Sequence, residues 1–464
     1  MTSMSRQLAQ WVVQLKYADL PPAVVDRAKG VSLQFMSSVL LGSITKSGRD
    51  AVEMICREER GVTEGATILV NGATATKGGA AFANSEMAFA GGKWDTYKML
   101  MHPGTSVLPA VLAAAEETHA TGQAMITAIA AGYEVAERLA EEVIPTLMAR
   151  GFHASPVFGI FAAAVAAGKL MHLDLEQMNS AIALCVSMAG GNLEGARSGG
   201  RALREGVAVR NAMLAVALAR QGHVGGETVL EGEAGFYHAY IGNNKGLLTH
   251  SFEGATRMSF AQITADLGQR WVFLDTLYRV YSISGYNIAH IDVTAALCNA
   301  HEIQYRDVER IEAVVNWLET QYPSPAFPTR REDTIHKAGS TAYHLAYAVV
   351  ERGFPLLREW APQTASPDDP PAVLELMQRV TITPSHNMPL FGPKITIHTK
   401  DGRSYSAQGT GREFIWDYEE LVRRMRGIAP GLPMSAAQYD RIIEACRSLD
   451  QAPRADMLVE LMQG

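Results

Sequence analysis

Two histidines occupy matching settings. His102 stands before Pro103 and is followed at once by the apolar run VLPAVLAAAEE, and His153 sits in GFHASP at the head of a second Ala-rich run. Both imidazoles would lie near helix N-termini, where the dipole and unpaired N–H groups favour anions and hold an imidazole neutral. An imidazole that titrates near the working pH serves as both base and acid. Either histidine alone fits a hydrogen-bonded structural role; two in matching contexts, each bordering a loop, point to a shared task. Asp95-Thr96 follows Gly91-Gly92 in the first loop and reads equally well as a turn or N-cap pair. In SGGRALRE (198–205), Arg201 and Arg204 place two guanidinium groups in a Gly-rich setting. Such forks suit bidentate clamping of carboxylates, with a solvated helix start as the plain alternative.

The elements that must position these residues are mostly helical. Ser5 to Leu15 carries Leu8, Trp11, Val12 and Leu15 on one stripe, and Pro21-Pro22 open a second, buried helix through Val39 and Leu40. Pro109–Glu117, Ala124–Val143, Val157–Met171 and Leu175–Ala189 are Ala- and Leu-rich with small residues interleaved, as in a closely packed bundle. Ser85–Pro103 and Asn192–Arg204 read as irregular, polar, Gly-rich loops between helices, where binding chemistry tends to sit. Near residue 260 the character changes. Val308–Trp317, Met377–Thr383 and Lys394–Thr399 alternate like strands; Asp401-Gly402 signals a hairpin returning through Ser404–Gln408, and Ser340–Glu351 reads as a helix on that sheet. From Trp416 the chain is helical again, with Leu421, Met425, Ile442, Cys446 and Leu458 as core candidates. The expected fold is mainly α with an α+β insertion: a discontinuous helical domain (1–265 and 400–464) and a smaller α/β domain (266–399).

Composition narrows the function. The 464 residues are 47% hydrophobic, ample for a sizeable core and incompatible with disorder as the main state. Only 19% are charged, which favours burial in an oligomer, and a net charge of −7 gives no field for nucleic acid. Cys56, Cys185, Cys298 and Cys446 show no CxxC pair and read as reduced, mostly buried thiols. The first 20 residues lack an apolar stretch of the signal-peptide kind, and Gly151–Gly168 is too rich in small residues for a membrane span. A protein of the cytoplasm, bound neither to membrane nor to nucleic acid, is expected. GxGxxG, P-loop, GxSxG, HExxH and HxxxH patterns are absent, so neither a metal nor a nucleotide cofactor is expected.

Taken together, MHPGTSVLPAVLAAAEE (101–117), AAGYEVAERL (130–139), GFHASPVFGIFAAAVAAGKLMHLDLEQ (151–177) and LEGEAGFY (230–237) resemble the MmgE/PrpD family of 2-methylcitrate dehydratase, cis-aconitate decarboxylase and iminodisuccinate epimerase. The likeness runs over nearly the whole chain. It implies a helical domain built from both ends of the chain, an α/β lid, a homodimer, and a cofactor-independent site between the domains. It also implies roles for His102 and His153 as catalytic groups, and for Asp95 and Thr96 as the end of the family's Asp-x-x-Asp-Thr, whose first Asp falls on Gly92. A family Lys falls on Arg201. The Lys of a K-x-x-P stretch falls on Arg279 and its Pro on Ser282; a later His becomes Ile288, while Asp292 is kept, and Tyr343 matches a Tyr on the lid helix.

The shared chemistry is proton transfer next to a carboxylate, followed by elimination, decarboxylation or reprotonation. Arg201, Arg204 and Arg279 would stabilise the carbanion; Asp95 would orient an imidazole; Thr96, Ser282 and Tyr343 would bind substrate oxygens. Arginine stays charged and makes a poor acid or base, so two Lys-to-Arg changes shift proton transfer to the histidines. The first expectation is a 2-methylcitrate dehydratase-like hydro-lyase acting on a small di- or tricarboxylate. An epimerase of an iminodisuccinate-like acid, a cis-aconitate-type decarboxylase, and a catalytically idle polycarboxylate-binding homologue are the alternatives.

Overall fold

The computed structural model describes residues 2–194, 203–281, 283–321, 324–326, 340–354 and 369–463. The chain divides into two units: residues 1–248, 257–280 and 416–464 form the larger, and residues 249–256 and 281–415 the smaller. The architecture is mainly helical with a small α/β part. The boundary expected after residue 399 falls between two hydrogen-bonded strands of the smaller unit, because the hairpin at Asp401-Gly402 joins strands of one sheet.

The larger unit contains α1 (Met4–Gln14), α2 (Pro22–Ser43), α3 (Lys46–Glu58), a two-residue β-pair (β1, Ala66–Thr67; β2, Thr74–Ala75) and α4 (Lys77–Gly91). There follow α5 (Gly104–Thr118), α6 (Gly122–Ala140), α7 (Ile144–Ala149), α8 (Ala154–Leu170), α9 (Leu175–Val186) and α10 (Leu203–Arg220). Three of them show how local chemistry sets a helix start. Pro22 opens α2, Thr121 Oγ1 accepts from Ala124 N–H at the head of α6, and Asp174 and Gln177 form a capping box on α9. The stretch expected as a loop from Ser85 is helical as far as Gly91: Ala88 and Phe89 continue the buried face, and Gly92 closes the helix in the left-handed region at φ 71°.

Helix α8 is central: all its residues are buried except Lys169, so it is apolar all round, as an interior helix must be. Small residues set its neighbours' distances. A β-carbon at Gly132 of α6 would lie 2.6 Å from the Ala162 carbonyl, and one at Gly159 of α8 would lie 2.5 Å from Ser106 Oγ of α5. The close α5–α8 contact brings the starts of these two helices together. Phe158 and Phe161 pack edge-on against Phe236 of α11 (Phe236–Ile241); truncating either to Ala would cost about 3–5 kcal/mol. The C-terminal part returns to this unit, with Leu421, Met425, Ile442, Cys446 and Leu458 all buried.

In the smaller unit, a four-stranded sheet has the order β4-β3-β5-β6: β3 Val308–Asn316, β4 Val380–Ser385, β5 Lys394–Thr399, β6 Ser404–Gln408. β3 and β4 run parallel with Ile311 opposite Val380, and the other pairs are antiparallel. A bulge between Val308 and Arg310 explains why the inward residues are Val308, then Ile311, Ala313 and Val315. These side chains form one core with Leu297, Cys298, Tyr343 and Leu345 from the helices Gly285–Ala300 and Thr341–Glu351. No described helix is long and apolar enough to cross a membrane.

Candidate active site

The segment from Lys93 to His102 is anchored at both ends. Lys93 N–H donates to Ser38 Oγ (3.0 Å), and Thr96 exchanges two backbone hydrogen bonds with Leu277 (2.9 and 2.8 Å). A tight return follows, in which Tyr97 N–H donates to the Met101 carbonyl at 2.9 Å while Lys98 and Leu100 adopt left-handed φ values of 48° and 59°. Residues with a β-carbon hold such angles only where surrounding contacts over-determine them, and such strain clusters at functional sites. The return sets His102 against Asp95: its Nδ1 lies 2.9 Å from the Asp95 carbonyl oxygen and 3.4 Å from Thr96 Oγ1.

His153 is the N-cap of α8, and its Nδ1 accepts from Ser155 N–H at 3.2 Å. Its own N–H donates to the Gly191 carbonyl, and Leu193 N–H donates to Gly151, so two backbone bonds fix the turn. Ser155 also reaches the other histidine, its Oγ accepting from His102 N–H at 3.2 Å. The two rings, each only 5 % exposed, have centroids 6.4 Å apart. Their backbone partners define the tautomers. A carbonyl only accepts, so His102 Nδ1 carries a hydrogen and the Nε2 of the neutral ring carries none. A peptide N–H only donates, so His153 Nδ1 is bare and the neutral ring bears its hydrogen on Nε2. The neutral His102 ring thus has a bare Nε2 and the neutral His153 ring an N–H at Nε2.

Asp95 was expected to orient an imidazole. It is the backbone carbonyl of Asp95 that does so; the carboxylate accepts from Gly104 N–H at 3.0 and 3.1 Å and from the Tyr133 hydroxyl. It therefore caps α5, the plainer of the two sequence readings. Burial pushes its pKa up to about 6, against the lowering effect of the Tyr133 and Gly104 hydrogen bonds.

Trp94 joins the site to its cation. Its ring stacks on Phe89 (4.6 Å, 7°), lies 4.6 Å from the His102 ring, and carries the Arg279 guanidinium 4.5 Å from its centroid on a cation–π contact. Gln34 Nε2 donates to the Arg279 carbonyl at 3.0 Å, which fixes that backbone against α2. Next to Trp94, Lys93 is buried at 1 % exposure; desolvation, helped by the Arg279 charge, lowers its pKa to about 7. Sequence reasoning missed Lys93, Trp94, Tyr133 and Ser155. A Trp and a Lys inside a loop flanked by Gly92 and Asp95-Thr96 were the available signals.

Arg204, in the first turn of α10, lies near Glu86 and offsets the charge of that carboxyl, whose pKa is raised by burial and by Glu205. Tyr343 is in the smaller unit, buried in its core, with its hydroxyl donating to Asp369 Oδ1 at 2.7 Å. Arg201 and Ser282 lie outside the described residues. Among the described residues no three His, Cys, Asp or Glu side chains converge as metal ligands would.

Comparison with known proteins places the chain in a family. The chain is 25% identical, over its full length and 98% of the relative's, to a cis-aconitate decarboxylase-like protein of Aspergillus oryzae. It is 25% identical to the cis-aconitate decarboxylase of Homo sapiens, across 100% of this chain and 95% of that one. The cis-aconitate decarboxylase of Aspergillus terreus is likewise 25% identical, with 99% and 96% covered. Residues 6–247 match the MmgE/PrpD N-terminal domain, and the chain belongs to the MmgE/PrpD family.

Proposed function

We propose that this protein is a lyase acting on a small di- or tricarboxylate by proton transfer next to a carboxylate, with His102 as base and His153 as acid. The observation that carries the reading is the pair of buried imidazoles held by backbone groups in complementary tautomers. His102 Nε2 removes the proton from the carbon beside the carboxylate. The resulting enolate-like charge develops near the fixed Arg279 guanidinium, and such preorganised cations supply several kcal/mol in a dry site. His153 Nε2–H protonates the departing hydroxyl, which leaves as water as the carbon–carbon double bond forms, and the proton taken up by His102 returns the His153 ring to its neutral form. A base for the C–H and an acid for the leaving hydroxyl are what a hydro-lyase of a methylcitrate-like acid uses.

A second reading is favoured by a different observation: the relatives named above are cis-aconitate decarboxylases or resemble them. In a decarboxylation the carboxylate leaves as CO₂, its bonding electrons pass to the carbon framework, and His153 protonates the carbon and regains its proton from solvent. Arg204, Arg201 and Ser282 are proposed to bind the substrate's carboxylates and oxygens together with Thr96. The protein would work as a homodimer in the cytoplasm.

One experiment separates these readings. The protein is incubated in D₂O with methylcitrate, citrate, cis-aconitate and iminodisuccinate and followed by proton NMR. A new vinyl signal with loss of water from a hydroxy acid is expected for the hydro-lyase, and CO₂ release from cis-aconitate for the decarboxylase. Deuterium entering without loss of substrate marks an epimerase. Silence across the panel sinks the enzyme reading and leaves an idle, acid-binding homologue.

A further inference from the structure

The stretch AAGYEVAERL (130–139) of α6 carries four polar side chains, Tyr133, Glu134, Glu137 and Arg138, each at most 1 % exposed. Their spacing puts them on one face of the helix. Each holds a segment remote in sequence. The Tyr133 hydroxyl donates to the Asp95 carboxylate, and Glu134 Oε2 accepts from Phe273 N–H at 3.0 Å. Arg138, paired with Glu134, donates to the carbonyls of Ala265 and Arg270 at 2.6 Å each. Glu137 Oε1 accepts from the Thr276 hydroxyl, which is fully buried. Polar and charged groups are buried at low cost only when they are paired, so this face of α6 is built to hold the chain from 265 to 276.

The residues that follow carry the candidate site. The Thr276 carbonyl accepts from Arg27 Nη1, and Leu277 exchanges its two backbone hydrogen bonds with Thr96, in the loop whose return sets His102. Tyr278 lies under the Arg27 guanidinium (4.8 Å), its hydroxyl donating to the Arg27 carbonyl at 3.3 Å, and Arg279 rests on Trp94. Thr276 is thus adjacent to the pairing with the histidine loop and three residues before the cation. We propose that Glu137 is a positioning residue of the site: through the Thr276 hydroxyl it fixes residues 276–279, and so sets Arg279 and the His102 loop in register with each other. An extended segment makes no hydrogen bonds within itself, so its register comes from the groups around it. Among those groups Glu137 is the one that reads a side chain of the segment's first residue. The inference rests on the roles proposed for Arg279 and His102.

The test is steady-state kinetics of the whole protein with whichever of methylcitrate, citrate, cis-aconitate and iminodisuccinate the parent turns over. Glu137→Leu removes the acceptor and leaves a buried hydroxyl unpaired. KM should rise and kcat fall, each by about fivefold or more, because one segment carries both the cation and the histidine loop and small misplacements are costly. Glu137→Gln keeps an acceptor and should return both constants to within about threefold of the parent. A loss equal to that of the leucine variant overturns the inference. In an Arg279→Lys background, Glu137→Leu should raise KM by less than about twofold further, because a residue that acts through Arg279 is not additive with it. A further rise of about fivefold there would mark a merely structural role and overturn the inference. Thr276→Val breaks the same bond from its other end, and it decides if the leucine variant does not fold. Either variant, folded and with parental KM and kcat, overturns the inference alone. A parent inactive on all four acids overturns the reading of the site, and this inference with it.

Discussion

His102 Nδ1 lies 2.9 Å from the backbone carbonyl oxygen of Asp95, a partner that can only accept. The carbonyl therefore holds the ring in the form whose Nε2 takes a proton, without a second carboxylate. His102→Asn keeps a donor near that carbonyl and removes the base. Steady-state kinetics should show kcat lower by about 10²-fold or more with KM little changed, since general-base catalysis is typically worth that much. A parental kcat in this variant would remove His102 from the chemistry.

His153 has two tasks that substitution can separate. It caps α8 through Nδ1, and in the proposed mechanism it donates from Nε2. Asparagine caps helices well but cannot supply the imidazole proton, whereas alanine does neither. His153→Asn and His153→Ala should lose kcat to a similar extent, about 10²-fold or more. Thermal denaturation should separate them, with the alanine variant less stable by about 1 kcal/mol. If the asparagine variant turns over like the parent, His153 only caps the helix.

The helices were legible because their cause is local. Pro22 before an apolar run and Thr121 three residues before Ala124 mark helix starts from neighbouring residues alone. The histidines were legible for the same reason, each standing at the head of an Ala-rich segment. Trp94 and Lys93 were not, because their meaning depends on Arg279, which is remote in sequence and reaches them only through the fold. Asp95 was half legible: the residue type announced a cap, but its backbone carbonyl, which meets His102, has no signature in a side chain.

The cation–π contact between Trp94 and Arg279 makes a prediction about affinity. Desolvated contacts of this kind are worth roughly 1–2 kcal/mol. Trp94→Leu keeps an apolar side chain but removes the ring face under the guanidinium. KM should rise by about 5- to 30-fold, with a smaller change in kcat. Arg279→Lys should act in the same direction, because an ammonium keeps the charge and loses the planar fork. A fall in kcat at constant KM in both variants would mean that Arg279 acts in the transition state alone.

Asp95 carries the pH prediction. Burial raises its pKa to about 6, above the roughly 3.9 of an unfolded aspartate. Between these values the folded state binds more protons than the unfolded one, so stability falls as pH rises through about 4 to 6 and the penalty is fully present at neutral pH. Asp95→Asn can still accept from Gly104 N–H through its Oδ1 and can offer an amide hydrogen to the Tyr133 oxygen, yet it carries no charge to bury. The melting temperature of this variant relative to the parent should therefore be higher at pH 7.5 than at pH 5. Since the imidazole is held by the Asp95 backbone, kcat at pH 7.5 should fall by less than about tenfold, well short of the loss expected for a missing general base. A difference in melting temperature that is constant with pH would show that the Asp95 carboxyl titrates alike in the folded and unfolded protein. A hundredfold loss of kcat would show that its carboxylate, and not only its carbonyl, serves the reaction.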